Sequence, residues 1–436
     1  MSRPDARIGE CAWPQMIFAC GAVLTLAMLA LAFVDPRSHP ALFVGLAAVS
    51  GAAYLITLPL LGRARGRGLV LCLALAALWR IPLLVQPPQL STDIYRYVWD
   101  GRLQRFGENP YRVVPDDPRV VRLHTPVTRQ LNNGWVPTVY PPGAEIFFRA
   151  VTAVDESAGA VKAAIVLCDV LVIFALLRLL AATRYSPWCV LAYAWNPLVA
   201  LEGAGNGHID LAGTLALVLT AWALARERRT IAALVFALAV GIKFLPCVLA
   251  PLLWRRIRMR DAVAGAGLLA ALYLPFVHAG HVPFGSLTTY LAQWRFNGPL
   301  FAALNAFFPS SVLVALAVVV GLIIAVWVRA RLGPQSPAAW AWPLAATLAV
   351  APVVYPWYLL WLTPFLFTRA TLPLAVWTVT ILTTYIVIYL STVHGGLQVP
   401  WWVVAAEYGA VIGAGAVVLG RGAAGAPDVV AETSRL

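Results

Sequence analysis

The chain has 436 residues, of which 61% are hydrophobic and only 12% are charged. Soluble domains carry roughly a quarter charged residues, so the composition excludes a soluble protein and predicts an all-α polytopic membrane protein. The apolar runs are continuous and do not alternate, which excludes a membrane-spanning β-barrel. At about 20 residues per crossing, the length allows roughly ten to twelve transmembrane helices.

The net charge of +13 comes mainly from arginines gathered in short turns between apolar runs. Such turns indicate the cytoplasmic side of a membrane and are not the footprint of a nucleic-acid-binding protein. We therefore predict a multi-pass membrane protein with these turns on the cytoplasmic side: Arg63, Arg65 and Arg67; Arg226, Arg228 and Arg229; Arg255, Arg256, Arg258 and Arg260; Arg329 and Arg331.

The first three apolar runs predict helices over about residues 12–34, 41–61 and 69–85. With the N-terminus inside, the third helix ends on the outer side, where the only long polar segment of the chain begins. Four regions follow from this reading: N-terminal transmembrane helices (1–86), a periplasmic catalytic loop with juxtamembrane helices (87–139), a transmembrane bundle (140–420) and a disordered cytoplasmic tail (421–436).

Two later segments do not fit simple crossings. The sequence Tyr140-Pro-Pro142 opens the next apolar helix, but the parity of helices up to Leu201 requires that one segment there does not cross fully. Residues 230–254 begin and end beside arginine-rich turns, so they must cross an even number of times. We predict either a re-entrant pair or two short tilted helices, broken near Gly241 and Pro246, with Lys243 at the break.

The polar loop contains the first group of candidate functional residues. If residues 93–101 are helical, Asp93, Arg96, Tyr97 and Asp100 share one face, and Trp99 lies off it, where it can rest on the bilayer surface. An aspartate there can act as a general base, and Arg96 and Arg102 can hold a phosphate. The alternative is that Arg96 simply pairs with Asp100 at i,i+4 spacing.

The second group lies between Ala200 and Leu211 and comprises Glu202, Asn206, His208 and Asp210. It precedes a helix whose N-terminus points outward, which favours an anion site, although a glycine-rich turn with a capping aspartate fits equally well. Lys243, one of only two lysines, is either a snorkelling residue or a cation that meets a lipid-linked phosphate. The six cysteines show no ligand spacing.

Several of these stretches resemble GT-C membrane glycosyltransferases, most closely the polyprenyl-phosphate-mannose-dependent mannosyltransferases of the bacterial GT87 and PIG-M-like kind. The stretches that carry the resemblance are Asp93-Ile-Tyr-Arg-Tyr-Val-Trp-Asp100-Gly-Arg102, Asn109-Pro-Tyr111, Tyr140-Pro-Pro142, Trp195-Asn-Pro197, Asn206-Gly-His-Ile-Asp210, Lys243 with Pro246, and Tyr355-Pro-Trp-Tyr358. The extra two-helix hairpin before the polar loop departs from the simplest pattern of that group.

The resemblance implies a GT-C-like bundle and an inverting transfer of a sugar, mannose, from a polyprenyl-phosphate donor to a lipid or glycan acceptor at the periplasmic face. It implies Asp93 as the base, with Arg96, Lys243 and His208 near the departing phosphate. The predicted site is Asp93 and Asp100 as catalytic residues, with Arg96, Arg102, Tyr140, Glu202, Asn206, His208, Asp210, Lys243, Trp357 and Tyr358 binding donor or substrate. We expect no required metal or cofactor, and membrane lipids but no nucleic acid as partners.

Two rival classes remain open at this stage. A transporter or flippase of a lipid-linked sugar predicts ionisable residues near mid-membrane and broken helices in matching halves of the chain. A structural subunit predicts that Asp93, Arg96 and Lys243 tolerate alanine. The polar residues of this chain gather at the outer ends of the predicted helices, which favours the enzyme.

Overall fold

A computed structural model describes residues 6–278, 282–396 and 398–423. Within these ranges the chain is mainly helical, and Phe296 and Val353 form an isolated parallel bridge. The α-helices are α1 (Ala6–Leu31), α2 (Pro40–Leu61), α3 (Leu69–Val85), α4 (Asp93–Arg105), α5 (Pro142–Thr152), α6 (Ala158–Thr183), α7 (Leu191–Ala194), α8 (Pro197–Ala200), α9 (Asp210–Ala225), α10 (Arg229–Ile242), α11 (Met259–Tyr273), α12 (Leu287–Gln293), α13 (Pro299–Leu304), α14 (Ser310–Arg331), α15 (Pro337–Val350), α16 (Leu372–Thr380), α17 (Ile386–His394) and α18 (Trp401–Ala423).

The described helices confirm the prediction of an all-α polytopic membrane protein. Five helical stretches are long and apolar enough to cross a bilayer: Pro40–Leu61, Ala158–Thr183, Ser310–Arg331, Arg369–Val393 and Trp401–Gly420. Five shorter apolar helices accompany them: Gln15–Leu31, Leu69–Val85, Asp210–Ala225, Arg229–Ile242 and Pro337–Val350. The predicted count of ten to twelve crossings stays a prediction, because only the first five of these helices are long enough to cross a bilayer alone.

The parity argument required one segment before Leu201 that does not cross the membrane fully, and this segment is α5. It has 11 residues, so it extends only about 16 Å, roughly half the hydrocarbon thickness of a bilayer. Its buried face packs on α4, where a Cβ at Gly101 would lie 2.4 Å from the carbonyl oxygen of Phe148. The first helix after the polar loop is therefore a juxtamembrane companion of α4, although the sequence placed it at the start of the 140–420 bundle.

The predicted break at Lys243 is confirmed. Helix α10 begins after the arginine-rich turn at Arg226 and ends at Ile242, Lys243 is extended, and a 3₁₀ segment (Leu245–Leu253) leads to the next arginine-rich turn, which starts at Arg255. The tip of this hairpin lies against α5, because a Cβ at Gly143 would be only 2.6 Å from the carbonyl oxygen of Gly241. The hairpin thus delivers a lysine to the polar loop.

Arginine-rich turns and the polar loop lie at opposite ends of the helices. At one end the Arg329 guanidinium donates to the Trp254 carbonyl, and Thr230 Oγ1 donates to Asp261 Oδ1 at 2.6 Å. At the other end of α11, Asn109 Nδ2 donates to the Phe276 carbonyl at 2.9 Å. The α11 helix therefore connects the arginine-rich end to the polar end.

Two predictions about individual segments need correction. Trp99 is fully buried and stacks on His124 with a centroid distance of 4.0 Å, so it does not rest on a bilayer surface. The predicted disordered tail over 421–436 begins too early, because α18 continues to Ala423. The remaining residues, 424–436, lie outside the described part of the chain.

Candidate active site

Asp93 is the first residue of α4, and its side chain is partly exposed. A carboxylate in the first turn of a helix is stabilised by the helix dipole, which accounts for an acidic residue at this position. The backbone N–H of Asp93 donates to Ser91 Oγ at 3.2 Å, and the Tyr140 hydroxyl lies 3.5 Å from Asp93 Oδ2. The Asp93 carboxylate is thus held in place, and its exposed part can still accept further hydrogen bonds.

Lys243 and Asp210 form the ionic centre of the site. Lys243 Nζ lies 2.6 Å from Asp210 Oδ1, and the indole N–H of Trp361 donates to the same oxygen at 2.7 Å. Lys243 Nζ also lies 3.9 Å from the centroid of the Tyr358 ring, a cation–π contact. Asp210 is 1% exposed, whereas 18% of the Lys243 side chain is exposed. The lysine is therefore the partner that a substrate can reach.

The surroundings of Asp93 set its proton affinity. The pKa of Asp93 is raised from 3.8 to about 6, mainly by burial, and the Asp210 carboxylate contributes to the increase. Lys243 and, more weakly, Tyr140 and Arg96 lower the same pKa. A carboxylate with a pKa near 6 is ionised at neutral pH and is a stronger base than an exposed aspartate.

Aromatic rings line the other side of Asp93 and Lys243. His208 stacks on Trp357 with a centroid distance of 4.2 Å, and Trp357 stacks on Tyr355 at 4.4 Å. The hydroxyl groups of Tyr290 and Tyr358 are 2.5 Å apart. The structure therefore brings the predicted residues Trp357 and Tyr358 next to Lys243, although more than a hundred residues separate them in the chain.

Arg96 and Asp100 form the pair that the sequence left as an alternative. Arg96 Nε donates to both oxygens of Asp100 at 2.9 and 3.0 Å, and its terminal nitrogens donate to the Val136 carbonyl. Asp100 is fully buried. Arg96 is thus committed to a carboxylate and a carbonyl, which makes it a brace between α4 and the loop rather than a free phosphate ligand.

Glu145 completes this buried group behind α4. Its Oε1 accepts from Thr138 at 2.7 Å and its Oε2 accepts from Gln104 at 2.8 Å. Burial and the neighbouring Asp100 carboxylate raise the pKa of Glu145 well above 4.5. Two buried carboxylates thus lie beside one arginine, and their burial favours the protonated form of Glu145.

The remaining predicted residues differ in their burial and in their distance from Asp93. Glu202 and His208 are fully buried behind Asp210, with Glu202 Oε2 3.1 Å from His208 Nε2. Asn206 accepts from the Leu90 N–H at 3.0 Å and donates to the Leu201 carbonyl, so it joins the loop to the bundle. Arg102 pairs with Glu156 away from Asp93.

The predicted anion seat before α9 is filled by the protein itself. Asp210 is the first residue of α9, so its own carboxylate occupies the N-terminal turn and is neutralised by Lys243. An external anion at this end of the helix would meet the lysine rather than free amide groups.

Sequence reasoning missed three contributors. Trp361 binds Asp210, and Tyr290 contacts Tyr358. Glu407, 1% exposed in α18, accepts from Asn297 at 3.0 and 3.1 Å and from the Trp377 indole at 2.7 Å. An isolated glutamate within an apolar helix is a signal that could have identified Glu407.

The described residues contain no group of three or more His, Cys, Asp or Glu side chains placed to hold a metal ion. Asp93 and Asp210 interact electrostatically, but Lys243 occupies the position beside Asp210 that a cation would take. The expectation that no metal is required stays a prediction.

The fold and the site define a polytopic membrane protein with a carboxylate and lysine site at the polar end of its bundle. Residues 16–257, more than half of the chain, match the family model described as alpha-(1->6)-mannopyranosyltransferase, N-terminal domain, of the MptA_B family. The chain belongs to this family. The match includes Asp93, Tyr140, Asp210 and Lys243 but ends before Tyr358.

One relative is an α-(1→6)-mannopyranosyltransferase of Mycobacterium tuberculosis, which is 31% identical to this chain over 152 residues. The aligned part covers 33% of this chain and 25% of that protein, so the similarity spans a quarter of the relative's length. No solved structure matches the chain.

Proposed function

We propose that this protein is an inverting mannosyltransferase that moves mannose from a polyprenyl-phosphate donor to a lipid or glycan acceptor, with Asp93 as the catalytic base. Family membership supports the transferase over the transporter or flippase alternative. The observation that carries the proposal is the position of Asp93. It is a partly exposed carboxylate with a raised pKa, beside a lysine that a substrate can reach.

In the proposed reaction, the Asp93 carboxylate accepts the proton of an acceptor hydroxyl. The acceptor oxygen forms a bond to C1 of the mannosyl group on one face, while the bond from C1 to the phosphate oxygen breaks on the other. The electron pair leaves with the polyprenyl phosphate, and the anomeric configuration inverts. The name of the family implies an α-(1→6) linkage for the product.

Lys243 is the residue we assign to the departing phosphate. A preorganised cation stabilises charge that develops in the transition state. Arg96 and Arg102 are held by Asp100 and Glu156, whereas the Lys243 ammonium is partly exposed and lies over an aromatic ring. As negative charge grows on the phosphate, Lys243 can share its protons between Asp210 and the leaving group.

The site is proposed to face the periplasm of the bacterial inner membrane. The arginine-rich turns predict the cytoplasmic side, and the polar loop lies at the opposite end of α11. A polyprenyl-phosphate donor fits this arrangement, because its lipid chain remains in the bilayer while its head reaches the loop.

The experiment is transfer of radiolabelled mannose from polyprenyl-phosphate-mannose to a membrane lipid extract by purified wild type and Asp93→Asn. Loss of a general base reduces the rate by about 10²- to 10⁴-fold, so we expect that reduction in the variant. The matched control is Asp117→Asn, because Asp117 lies in the same loop and pairs only with Arg119 among the described residues.

Full activity in a folded Asp93→Asn protein would exclude Asp93 as the base. Absence of transfer by wild type, together with movement of the labelled lipid between the leaflets of a proteoliposome, would favour the flippase.

A further inference from the structure

A groove of about 510 Å³ lies on the side of the bundle between α10, the returning segment Leu245–Leu253 and α11. Its walls are almost entirely apolar, and its floor consists of small side chains. The buried lining residues on α10 and α11 are Ala233, Ala237 and Gly265, and Ala262 and Ala266 line the groove nearer its surface. The groove follows α10 from Ala233 to Val240, so it stops about one turn before Lys243, and none of the candidate active-site residues lines it.

Two arginines, Arg255 and Arg258, line the arginine-rich end of the groove. The nearby carboxylate of Asp261 is already used, since it accepts from Thr230 Oγ1 at 2.6 Å and from the Arg258 backbone N–H at 2.9 Å. Arg256 is committed to the carbonyls of Leu252 and Leu332. Among the described residues, neither Arg255 nor Arg258 forms an ion pair, so both guanidinium groups can accept an external anion.

The environment of the groove specifies what can fill it. Trp254 is 71% exposed and Met259 is 79% exposed at the mouth, which places the arginines at the level where a bilayer changes from headgroups to acyl chains. A free phosphate would satisfy the arginines but would leave the apolar walls uncovered. A neutral lipid would cover the walls but would give the arginines no partner.

We propose that the groove binds one anionic phospholipid, with an acyl chain between α10 and α11 and the headgroup phosphate on Arg255 and Arg258. Arginine binds phosphate through paired N–H donors, and basic pockets between membrane helices select anionic lipids. The bound lipid supports the α10 hairpin, whose tip carries Lys243. The lipid is therefore a structural partner of the site as well as a neighbour in the membrane.

The test is native mass spectrometry of the full chain in detergent with phosphatidylglycerol or phosphatidylcholine added at equal concentration. We expect one phosphatidylglycerol to be retained, and about ten- to thirty-fold weaker retention in an Arg255→Gln/Arg258→Gln variant. Arg226→Gln is the matched control, because Arg226 is an exposed arginine of another turn and does not line the groove.

A second variant separates the apolar part of the site from the charges. Ala266→Leu fills the groove and leaves both arginines in place, so it should also weaken phosphatidylglycerol retention, while soluble glycerol phosphate should not compete. Equal retention of the two lipids, equal loss in the Arg226→Gln control, or competition by glycerol phosphate would overturn the proposal. The readout is binding, so it does not depend on the proposed transferase activity.

Discussion

The pH dependence of transfer tests the assigned base most directly. A general base must be ionised before it can accept a proton, so activity falls as the pH drops through the pKa of Asp93. With a pKa of about 6, Asp93 is about 90% ionised at pH 7 and about 10% ionised at pH 5. We therefore expect kcat/KM to fall about ten-fold between pH 7 and pH 5.

The assay is the initial rate of mannose transfer at low donor concentration between pH 4.5 and pH 8, with folding checked at each pH. An aspartate at its ordinary pKa of 3.8 would remain about 94% ionised at pH 5, so the two cases differ clearly. A profile that stays flat down to pH 5 would refute the raised pKa and, with it, the described burial of Asp93.

Two neighbouring substitutions should move the midpoint of this profile in opposite directions. Lys243 lowers the pKa of Asp93, so Lys243→Met should shift the acidic limb to higher pH. Asp210 raises that pKa, so Asp210→Asn should shift the limb to lower pH. Both substitutions will also lower the transfer rate, so the test is the direction in which the midpoint of the pH profile shifts. Shifts in the same direction would contradict the described arrangement of the three groups.

Two further predictions concern residues that support the site. A Cβ at Gly213 would lie 2.0 Å from Trp361 Cη2, so Gly213→Ala should displace the indole from Asp210 and reduce kcat about 10- to 100-fold in the transfer assay; unchanged kcat would show that Trp361 is dispensable. Glu407→Leu leaves the buried amide of Asn297 without its acceptor and should lower the free energy of unfolding by about 1–3 kcal/mol, whereas Glu407→Gln retains an acceptor oxygen. Thermal unfolding in detergent would detect the difference, and equal stability of both variants would argue against this role.

The helices were predictable where a single physical signal defines them. The bounds of α3, Leu69–Val85, follow from an apolar run between an arginine-rich turn and a polar loop, and the structure has the same bounds. The break at Lys243 followed from a parity argument on charges at both ends of one segment. These signals are local in the sequence, so no knowledge of packing was needed.

The partners of buried polar groups were not predictable in the same way. Arg96 fitted a phosphate clamp and an intrahelical pair equally well, because the choice depends on Val136, which lies 40 residues away. The burial of Trp99 depends on the later loop that brings His124 against it. The pairing of Asn297 with Glu407 spans 110 residues, and one sequence contains no signal for it.

The degree to which each charge is satisfied distinguishes structural from reactive groups. Arg80 is held by Asp169 at 2.6 Å, and Lys162 caps the carbonyls of Leu83 and Gln86. Burying such charges is costly unless partners satisfy them, so each of these two groups supports the fold through its pairing.

Asp93 differs from these buried charges in both exposure and contacts. Its side chain is partly exposed, and its hydrogen-bond contact among the described side chains is a tyrosine hydroxyl at 3.5 Å, close to the limit for a hydrogen bond. Desolvation raises the basicity of the Asp93 carboxylate, and strong hydrogen bonds that would lower its basicity again are absent among the described side chains. A carboxylate with so few bonds contributes little to the stability of the fold. A carboxylate that is partly exposed and has few hydrogen bonds can take up a proton from a substrate. This combination of exposure and weak bonding distinguishes Asp93 from the other acidic residues of the polar end.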